Sequence, residues 1–101
     1  LEVIKVIPGL EVIERLYFNI DRLRAADHSW ILKNSYSTLL EVFRSRNDVM
    51  KLRDRAFYES FVSIGCNETA LGLSNMSAED EDYALMKRCH EDFNHLLTLG
   101  L

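Results

Sequence analysis

Four residues of types that bind metals or transfer protons lie close together near the C-terminal end of the chain: Cys89, His90, Asp92 and His95. Zinc sites and Cys–His nucleophiles use such residues. However, His90 and His95 are five residues apart, whereas paired ligands on one helix need a spacing of three or four. Cys89 shares a helical face with Phe93, which predicts a buried, unreactive thiol. We therefore predict no catalytic residue, no metal and no cofactor, and we expect Asp92 and His95 to pair on the solvent face.

The densest run of charge is acidic and spans residues 79–82 (EDED), just after Ser77. Ser77 with these acids approximates a capping box, and acids in the first turn of a helix stabilise it by facing the positive end of its dipole. Consecutive residues on a helix diverge by about 100° each, so the four acids do not converge on a metal. A serine followed by acids is also typical of substrates of acidic-directed kinases, which is the alternative.

Five cations surround the predicted junction between the second and third helices: Arg44, Arg46, Lys51, Arg53 and Arg55. Guanidinium groups bind carboxylates and phosphates through two hydrogen bonds, so this basic corner is a predicted docking surface for an acidic or phosphorylated segment of another protein. The alternative is a solvated helical corner whose cations favour the negative end of a helix dipole. RNA is a weaker expectation, because no glycine- or aromatic-rich strand motif accompanies the charge.

Three aromatic residues exceed what the apolar faces of the first two helices require: Tyr17, Phe18 and Trp30. Phe18 in particular points away from the apolar seam of the first helix. A broad core is one explanation for these residues. If they are exposed, they mark an interface, since aromatic residues are enriched where proteins bind each other. We predict these three residues and the basic corner as the partner-binding residues.

Helices position these residues, because apolar residues recur three and four apart along most of the chain. The first helix is predicted at about 10–26, and its apolar face consists of Ile13, Leu16, Ile20 and Leu23. The second is predicted at about 30–46, and its apolar face consists of Leu32, Tyr36, Leu39 and Phe43. The third helix is predicted at about 48–64, with an apolar face of Val49, Leu52, Ala56, Phe57, Phe61 and Ile64. The fourth is predicted at about 78–98, with an apolar face of Met86, Cys89, Phe93, Leu96 and Leu97.

Polar residues at the predicted breaks supply helix caps. Asp27 or Ser29 is expected to cap the second helix, and Asp48 the third, because their side-chain oxygens accept hydrogen bonds from free N–H groups of the next turn. Residues 1–7 are rich in β-branched side chains and fit either a strand or a short helix. Pro8-Gly9 then ends that segment, since proline lacks an N–H and glycine tolerates a positive φ.

A glycine and a stretch without periodicity predict where the third helix ends. Gly65 follows the predicted end of the third helix, where a residue in the left-handed conformation commonly terminates a helix. Residues 66–76 show no clear period, so they are expected to form a loop. Two glycosylation sequons, at Asn67 and Asn75, fall in this stretch and are interpreted as loop residues.

The size and composition of the chain are those of one globular domain. It has 101 residues, of which 48% are hydrophobic and 28% charged. We interpret residues 1–101 as a single helical domain taken from a longer protein. No apolar run approaches the roughly 20 residues that cross a bilayer, so no membrane association is expected.

The charge is unevenly distributed along the chain. The net charge is −4; residues 1–58 carry +2 and residues 59–101 carry −6. A nucleic-acid-binding protein normally has a strong basic excess, which makes nucleic acid an unexpected partner.

The two cysteines, Cys66 and Cys89, are too few for a disulfide framework and are expected to be reduced, apolar side chains. Reduced thiols are typical of the cytoplasm or the nucleus, and that is the predicted localisation.

Two segments of the second half resemble parts of the PUB domain: residues 40–53 (LEVFRSRNDVMKLR) and residues 61–66 (FVSIGC). PUB domains recognise the C-terminal tail of a segregase and contain a hydrophobic turn that matches Gly65-Cys66. The resemblance covers about half of the chain, and Cys66 stands where the family usually has phenylalanine. It implies a helical fold that docks an acidic peptide tail, and it assigns no role to an individual residue.

These observations together predict a compact all-α bundle of four main helices, with a short N-terminal helix or strand. We expect a non-catalytic protein–protein interaction or assembly module that acts as an adaptor or scaffold. A PUB-like domain and a homo-oligomerisation domain are the alternatives, and an enzyme or metal protein is the least expected class.

Overall fold

The computed structural model describes residues 10–25, 34–37, 39 and 55–99. This part of the chain contains four helical stretches and no strand: α1 (Leu10–Ala25), α2 (residues 34–37 and 39), α3 (Arg55–Asn75) and α4 (Tyr83–Leu99). The predicted all-α bundle is confirmed. The expected N-terminal element and the expected caps Asp27, Ser29 and Asp48 lie outside the described residues. The expectation of a single domain stays a prediction.

The apolar seam of α1 lies where its spacing predicts. Its four members, Ile13, Leu16, Ile20 and Leu23, are all buried in the core. Residues three and four apart stack on one face of a helix, so this seam presents one continuous surface. That surface packs against α4.

Helix α3 is longer than predicted and does not end at Gly65. It continues to Asn75, so the expected loop at 66–76 is wrong. Gly65 is buried inside the helix, and a Cβ atom placed there would overlap the ring of Phe93 on α4. The glycine therefore provides space for a close helix–helix approach instead of a left-handed turn. Both sequon asparagines, Asn67 and Asn75, are helical, in contrast to their interpretation as loop residues.

The buried face of α3 also differs from the predicted one. Ala56 and Ile64 are exposed. Phe61 is buried, as predicted. The other residues that face the core were not predicted, and they include two glycines and a threonine: Tyr58, Val62, Gly65, Thr69 and Gly72. The small and polar residues Gly65, Thr69 and Gly72 lie where α4 is close to α3. A prediction based on the spacing of large apolar residues does not detect them. Val49 and Leu52 lie outside the described residues, and the side chain of Phe57 is not described.

Helix α4 buries most of its predicted seam, but not all of it. Met86, Cys89, Phe93 and Leu96 are fully buried, whereas Leu97 is 58% exposed. Leu97 follows Leu96 directly, and adjacent residues lie about 100° apart around a helix, so both cannot face the core equally. Asp92 lies on the buried face instead and is 8% exposed.

The acidic run precedes α4 and does not form its first turn. Residues 76–82 connect α3 to α4 through turns, and α4 begins at Tyr83. Asp80 organises the connection: its Oδ1 accepts the N–H of Asp82 at 2.8 Å, and its carbonyl accepts the N–H of Tyr83 at 3.0 Å. The oxygen of Ser77 accepts the N–H of Glu79 at 3.2 Å, two residues ahead, so the predicted capping box is absent from this described connection.

Helices α3 and α4 run in opposite directions and pack closely against each other. The hydroxyl of Tyr58 donates to the carbonyl of Leu96 at 2.8 Å, near the start of one helix and the end of the other. Further along α3, Phe61 packs edge-on against Phe93, with ring centroids 5.6 Å apart. Such a T-shaped contact stabilises the pair beyond the apolar area that it buries.

Candidate functional site

Three aromatic rings form a continuous series between α1 and α2. Tyr36 of α2 stacks on Tyr17 of α1, with centroids 5.9 Å apart and planes 15° apart. Phe18 then packs edge-on against Tyr17 at 5.8 Å. The Tyr36 hydroxyl donates to the Oδ1 atom of Asp21 at 3.1 Å, which fixes the far end of the series to α1. We call these three rings the aromatic series.

The exposure of the rings increases along the aromatic series. Tyr36 and Tyr17 are partly buried against the hydrophobic core, and Phe18 is 64% exposed. The prediction that Phe18 points away from the α1 seam is confirmed. Tyr17 combines the two interpretations made from the sequence, since it packs on the core and also supports an exposed ring. The series thus presents an aromatic side chain to solvent from a regular helix.

The surface described above does not include the other predicted partner-binding residues. Trp30, Arg44, Arg46, Lys51 and Arg53 lie outside them. Arg55 is the first residue of α3, and its side chain is not described. The basic corner therefore stays a prediction.

Asp92 has a different partner from the one expected. Arg15 of α1 donates to both carboxylate oxygens of Asp92, from Nη2 at 2.7 Å and from Nε at 3.0 Å. The expected pairing of Asp92 with His95 on the solvent face is wrong, because Asp92 is buried and is neutralised from a neighbouring helix. The Arg15 side chain is itself 57% exposed. The hydrogen bond and the charge of Asp92 raise the pKa of Arg15 above its ordinary value.

A hydroxyl–imidazole contact joins α3 to α4. Thr69 Oγ1 lies 2.8 Å from Nδ1 of His90 and also 2.8 Å from the carbonyl oxygen of Gly65. If the single hydroxyl proton is donated to that carbonyl, Nδ1 of His90 must carry a proton and donate to Thr69. An activated hydroxyl nucleophile would have a similar pair, but Thr69 is fully buried and a substrate has no access to it. The contact joins the helices; it does not form a reactive centre.

The two thiols occupy different environments. Cys89 is fully buried, and burial together with the nearby Asp92 carboxylate raises the pKa of its thiol to about 12. Cys66 is half-buried, burial raises the pKa of its thiol, and its sulfur lies 3.7 Å from Oδ1 of Asn94. The predicted burial of Cys89 is confirmed. A thiol with a raised pKa holds its proton and is a poor nucleophile, in line with the prediction that Cys89 is unreactive.

Glu68 makes a contact between α3 and α2 that the sequence did not indicate. Its carboxylate accepts the N–H of Asn34 at 3.2 Å and the N–H of Ser35 at 3.1 Å, and it also accepts the Ser35 hydroxyl. Backbone N–H groups that donate to a side chain are typical of the first turn of a helix. Glu68 therefore joins α3 to α2 through two backbone N–H groups and one hydroxyl.

The polar contacts described above connect neighbouring helices. Among the described residues, no group of three or more His, Cys, Asp and Glu side chains could hold a metal ion. No helix in the same part of the chain is long and apolar enough to cross a membrane. The exposed end of the aromatic series is a described surface that a ligand could contact.

Comparisons with known proteins assign no family to the chain: no family model matches it, and neither a curated protein nor a solved structure shows significant similarity to it. The resemblance to the PUB domain gains no support from these comparisons. Its expected hydrophobic turn at Gly65-Cys66 is also wrong, because both residues lie within α3.

Proposed function

We propose that this protein is a non-catalytic protein-interaction or assembly module and that Phe18 anchors its partner. One observation carries the proposal: an aromatic side chain that is 64% exposed and is supported edge-on by a partly buried ring. Single exposed apolar residues are common on protein surfaces. Phe18 differs from the exposed Leu97, because its ring continues a packed aromatic series into solvent.

The geometry of Phe18 suits an anchor residue. Interface residues that contribute most to affinity are commonly large side chains held in place before binding, since less conformational entropy is then lost. A large aromatic side chain buries about 150–250 Å², so covering the exposed part of Phe18 would contribute about 3 kcal/mol. This contribution is large enough for one residue to decide whether a partner stays bound.

The predicted basic corner indicates which chemical groups the partner would carry. An acidic or phosphorylated segment of another protein would satisfy those cations, in line with the sequence prediction. The change Arg53→Glu with Arg55→Glu should weaken binding of such a segment and leave the helical circular dichroism signal intact. Unchanged binding would remove the basic corner from the proposal and leave the Phe18 surface unaffected.

We also propose that the protein acts in the cytoplasm or the nucleus. Cys66 and Cys89 are both free thiols, which supports a reducing compartment. Fractionation of the source cells tests this directly, and recovery of the protein from a secreted fraction would contradict it.

Site-specific photo-crosslinking tests the proposed anchor. A benzophenone amino acid replaces Phe18 in one version of the chain and Leu97 in another, since both positions are exposed and lie on different helices. We expect discrete crosslinked products from position 18 in native extracts. Excess unlabelled wild-type chain should suppress these products, and excess Phe18→Ala chain should not.

Two results would contradict the anchor: equal crosslinking from both positions, or suppression by the Phe18→Ala chain as strong as that by wild type. A product containing two copies of this chain would identify homo-oligomerisation, and light scattering at two protein concentrations would show the same. Elemental analysis of the purified protein tests the rival metal-protein class, and a stoichiometric metal would place the protein in that class.

A further inference from the structure

Ser77 differs from the other serine and threonine hydroxyls of the described residues in the backbone that carries it. Thr69 is buried in α3, and Ser35 is buried in α2. The others that have a described exposure are exposed on helices: Ser37, Ser60, Ser63, Ser74 and Thr98. Ser77 is exposed and lies in the turns between α3 and α4. An exposed connection between two helices opens locally more easily than a packed helix does.

The residues that follow Ser77 give this hydroxyl a distinctive chemical setting. Glu79, Asp80 and Glu81 lie two, three and four positions after it, and no residue from 76 to 82 is buried. The Ser77 hydroxyl accepts only a weak hydrogen bond, at 3.2 Å, from the N–H of Glu79. The hydroxyl and the acidic side chains are therefore presented together to solvent.

We infer that Ser77 is a phosphorylation site for a serine/threonine kinase that selects acidic residues on the C-terminal side of its target. In the reaction, Oγ of Ser77 forms a bond to the γ-phosphorus of ATP, and the bond from that phosphorus to the β–γ bridging oxygen breaks. ADP leaves, and the hydroxyl proton passes to the kinase base or to solvent. Cationic groups of the kinase would bind the Asp80 carboxylate, as guanidinium groups bind anions elsewhere.

The fold tolerates a phosphate at this position. Ser77 lies six residues before Tyr83, so its phosphate would extend into solvent and would not enter an interface between helices. The phosphate adds about −1.5 to −2 charge beside four carboxylates and converts residues 77–82 into a strongly anionic surface. Such a surface would bind a cationic partner, and this consequence does not depend on the proposed role of Phe18.

The test uses the full chain with MgATP, an acidic-directed kinase, and a basic-directed kinase as the enzyme control. Intact mass and peptide mapping locate the phosphate in wild type, Ser77→Ala and Ser74→Ala. Asp80→Asn is the decisive variant, because asparagine keeps the oxygen that accepts the N–H of Asp82 and loses the charge. We expect one phosphate on Ser77, none in Ser77→Ala, and a fall of about tenfold or more in kcat/KM for Asp80→Asn.

Three outcomes would overturn the inference: no phosphate in wild type, a phosphate mainly on another hydroxyl, or the same rate for Asp80→Asn as for wild type. Phosphorylated protein should keep its helical circular dichroism signal and its thermal midpoint. A loss of helix on phosphorylation would contradict the tolerance that the exposed connection implies. Protein purified from its native source, analysed without added kinase, should carry the phosphate at Ser77 on at least part of the molecules.

Discussion

Replacing Gly65 by alanine tests the closest approach between α3 and α4. A Cβ atom at this position would overlap three ring atoms of Phe93: Cδ1, Cε1 and Cζ. Phe93 is fully buried and packs edge-on against Phe61, so its ring has little room to move away. The substitution therefore has to push the two helices apart or force the ring out of its packed position.

Two opposing effects set the size of the change. Alanine favours a helix interior over glycine by about 1 kcal/mol. Inserting a methyl group into a well-packed core costs about 1–3 kcal/mol, and the overlap with a whole ring edge places this case near the upper end. We expect Gly65→Ala to reduce the free energy of unfolding by about 2 kcal/mol. For a domain of this size, that corresponds to a fall of about 8–16 °C in the thermal midpoint.

Thermal and guanidinium unfolding, followed by circular dichroism, measure this effect. Ser63→Ala is the matched control, since Ser63 is exposed on the same helix and should change stability by no more than about 0.5 kcal/mol. In a Phe93→Leu background, Gly65→Ala should cost less by at least about 1 kcal/mol, because the ring edge is gone. A Gly65→Ala protein as stable as the Ser63→Ala control would refute the close approach.

Three further predictions concern contacts between helices. Arg15→Ala should destabilise the protein by about 1–2 kcal/mol in guanidinium unfolding, because the buried Asp92 carboxylate loses its partner; no loss would contradict this. Because the pKa of Cys89 is raised in the folded protein, only the unfolded chain ionises this thiol as pH rises from about 9 towards 12, and the free energy of unfolding falls over that range. Between pH 8 and pH 10, wild type should lose about 1 kcal/mol more than Cys89→Ala. Equal losses in the two proteins would refute the assignment. Glu68→Ala should cost about 1–3 kcal/mol by leaving three donors of α2 without their acceptor, whereas the exposed Glu91→Ala should be near neutral; equal effects would contradict the role of Glu68 as a connection between α2 and α3.

The helical periodicity of large apolar residues was sufficient to predict α1 and most of α4. In α1, all four seam residues are buried because leucine and isoleucine at three-and-four spacing define one face. In α4, the same spacing extends through a charged residue: Asp92 lies three positions after Cys89 and four before Leu96. The sequence analysis followed the charge of Asp92 and expected it in solvent, whereas this register matches the buried position that the structure shows.

Helix α3 was harder to predict because the inner face of its second half is made of small and polar residues. Gly65, Thr69 and Gly72 continue the four-and-three spacing of Tyr58 and Val62. Without a neighbouring helix in view, glycine and threonine indicate a helix end and a loop. Gly65 is instead a helix-interior residue that leaves space for Phe93. This role can be recognised only when the neighbouring helix is known.

The candidate site was only partly predictable for the same reason. Phe18 stood out because it lies off the seam of its own helix, which is a local property. The roles of Tyr36 and Glu68 depend on neighbours far along the chain, since Tyr36 stacks on Tyr17 and the Glu68 carboxylate on α3 accepts hydrogen bonds from α2. A single sequence carries no signal for contacts of that kind.

The most direct test of the proposed function is a competition measurement on the product crosslinked through position 18. Wild type, Phe18→Ala and Leu97→Ala chains are titrated as unlabelled competitors, after circular dichroism shows that all three are folded. If burial of Phe18 contributes about 3 kcal/mol, the Phe18→Ala chain should need about 100-fold more protein than wild type for half-suppression. The Leu97→Ala chain should match wild type. Equal potency of all three competitors would contradict the role of Phe18 as the anchor.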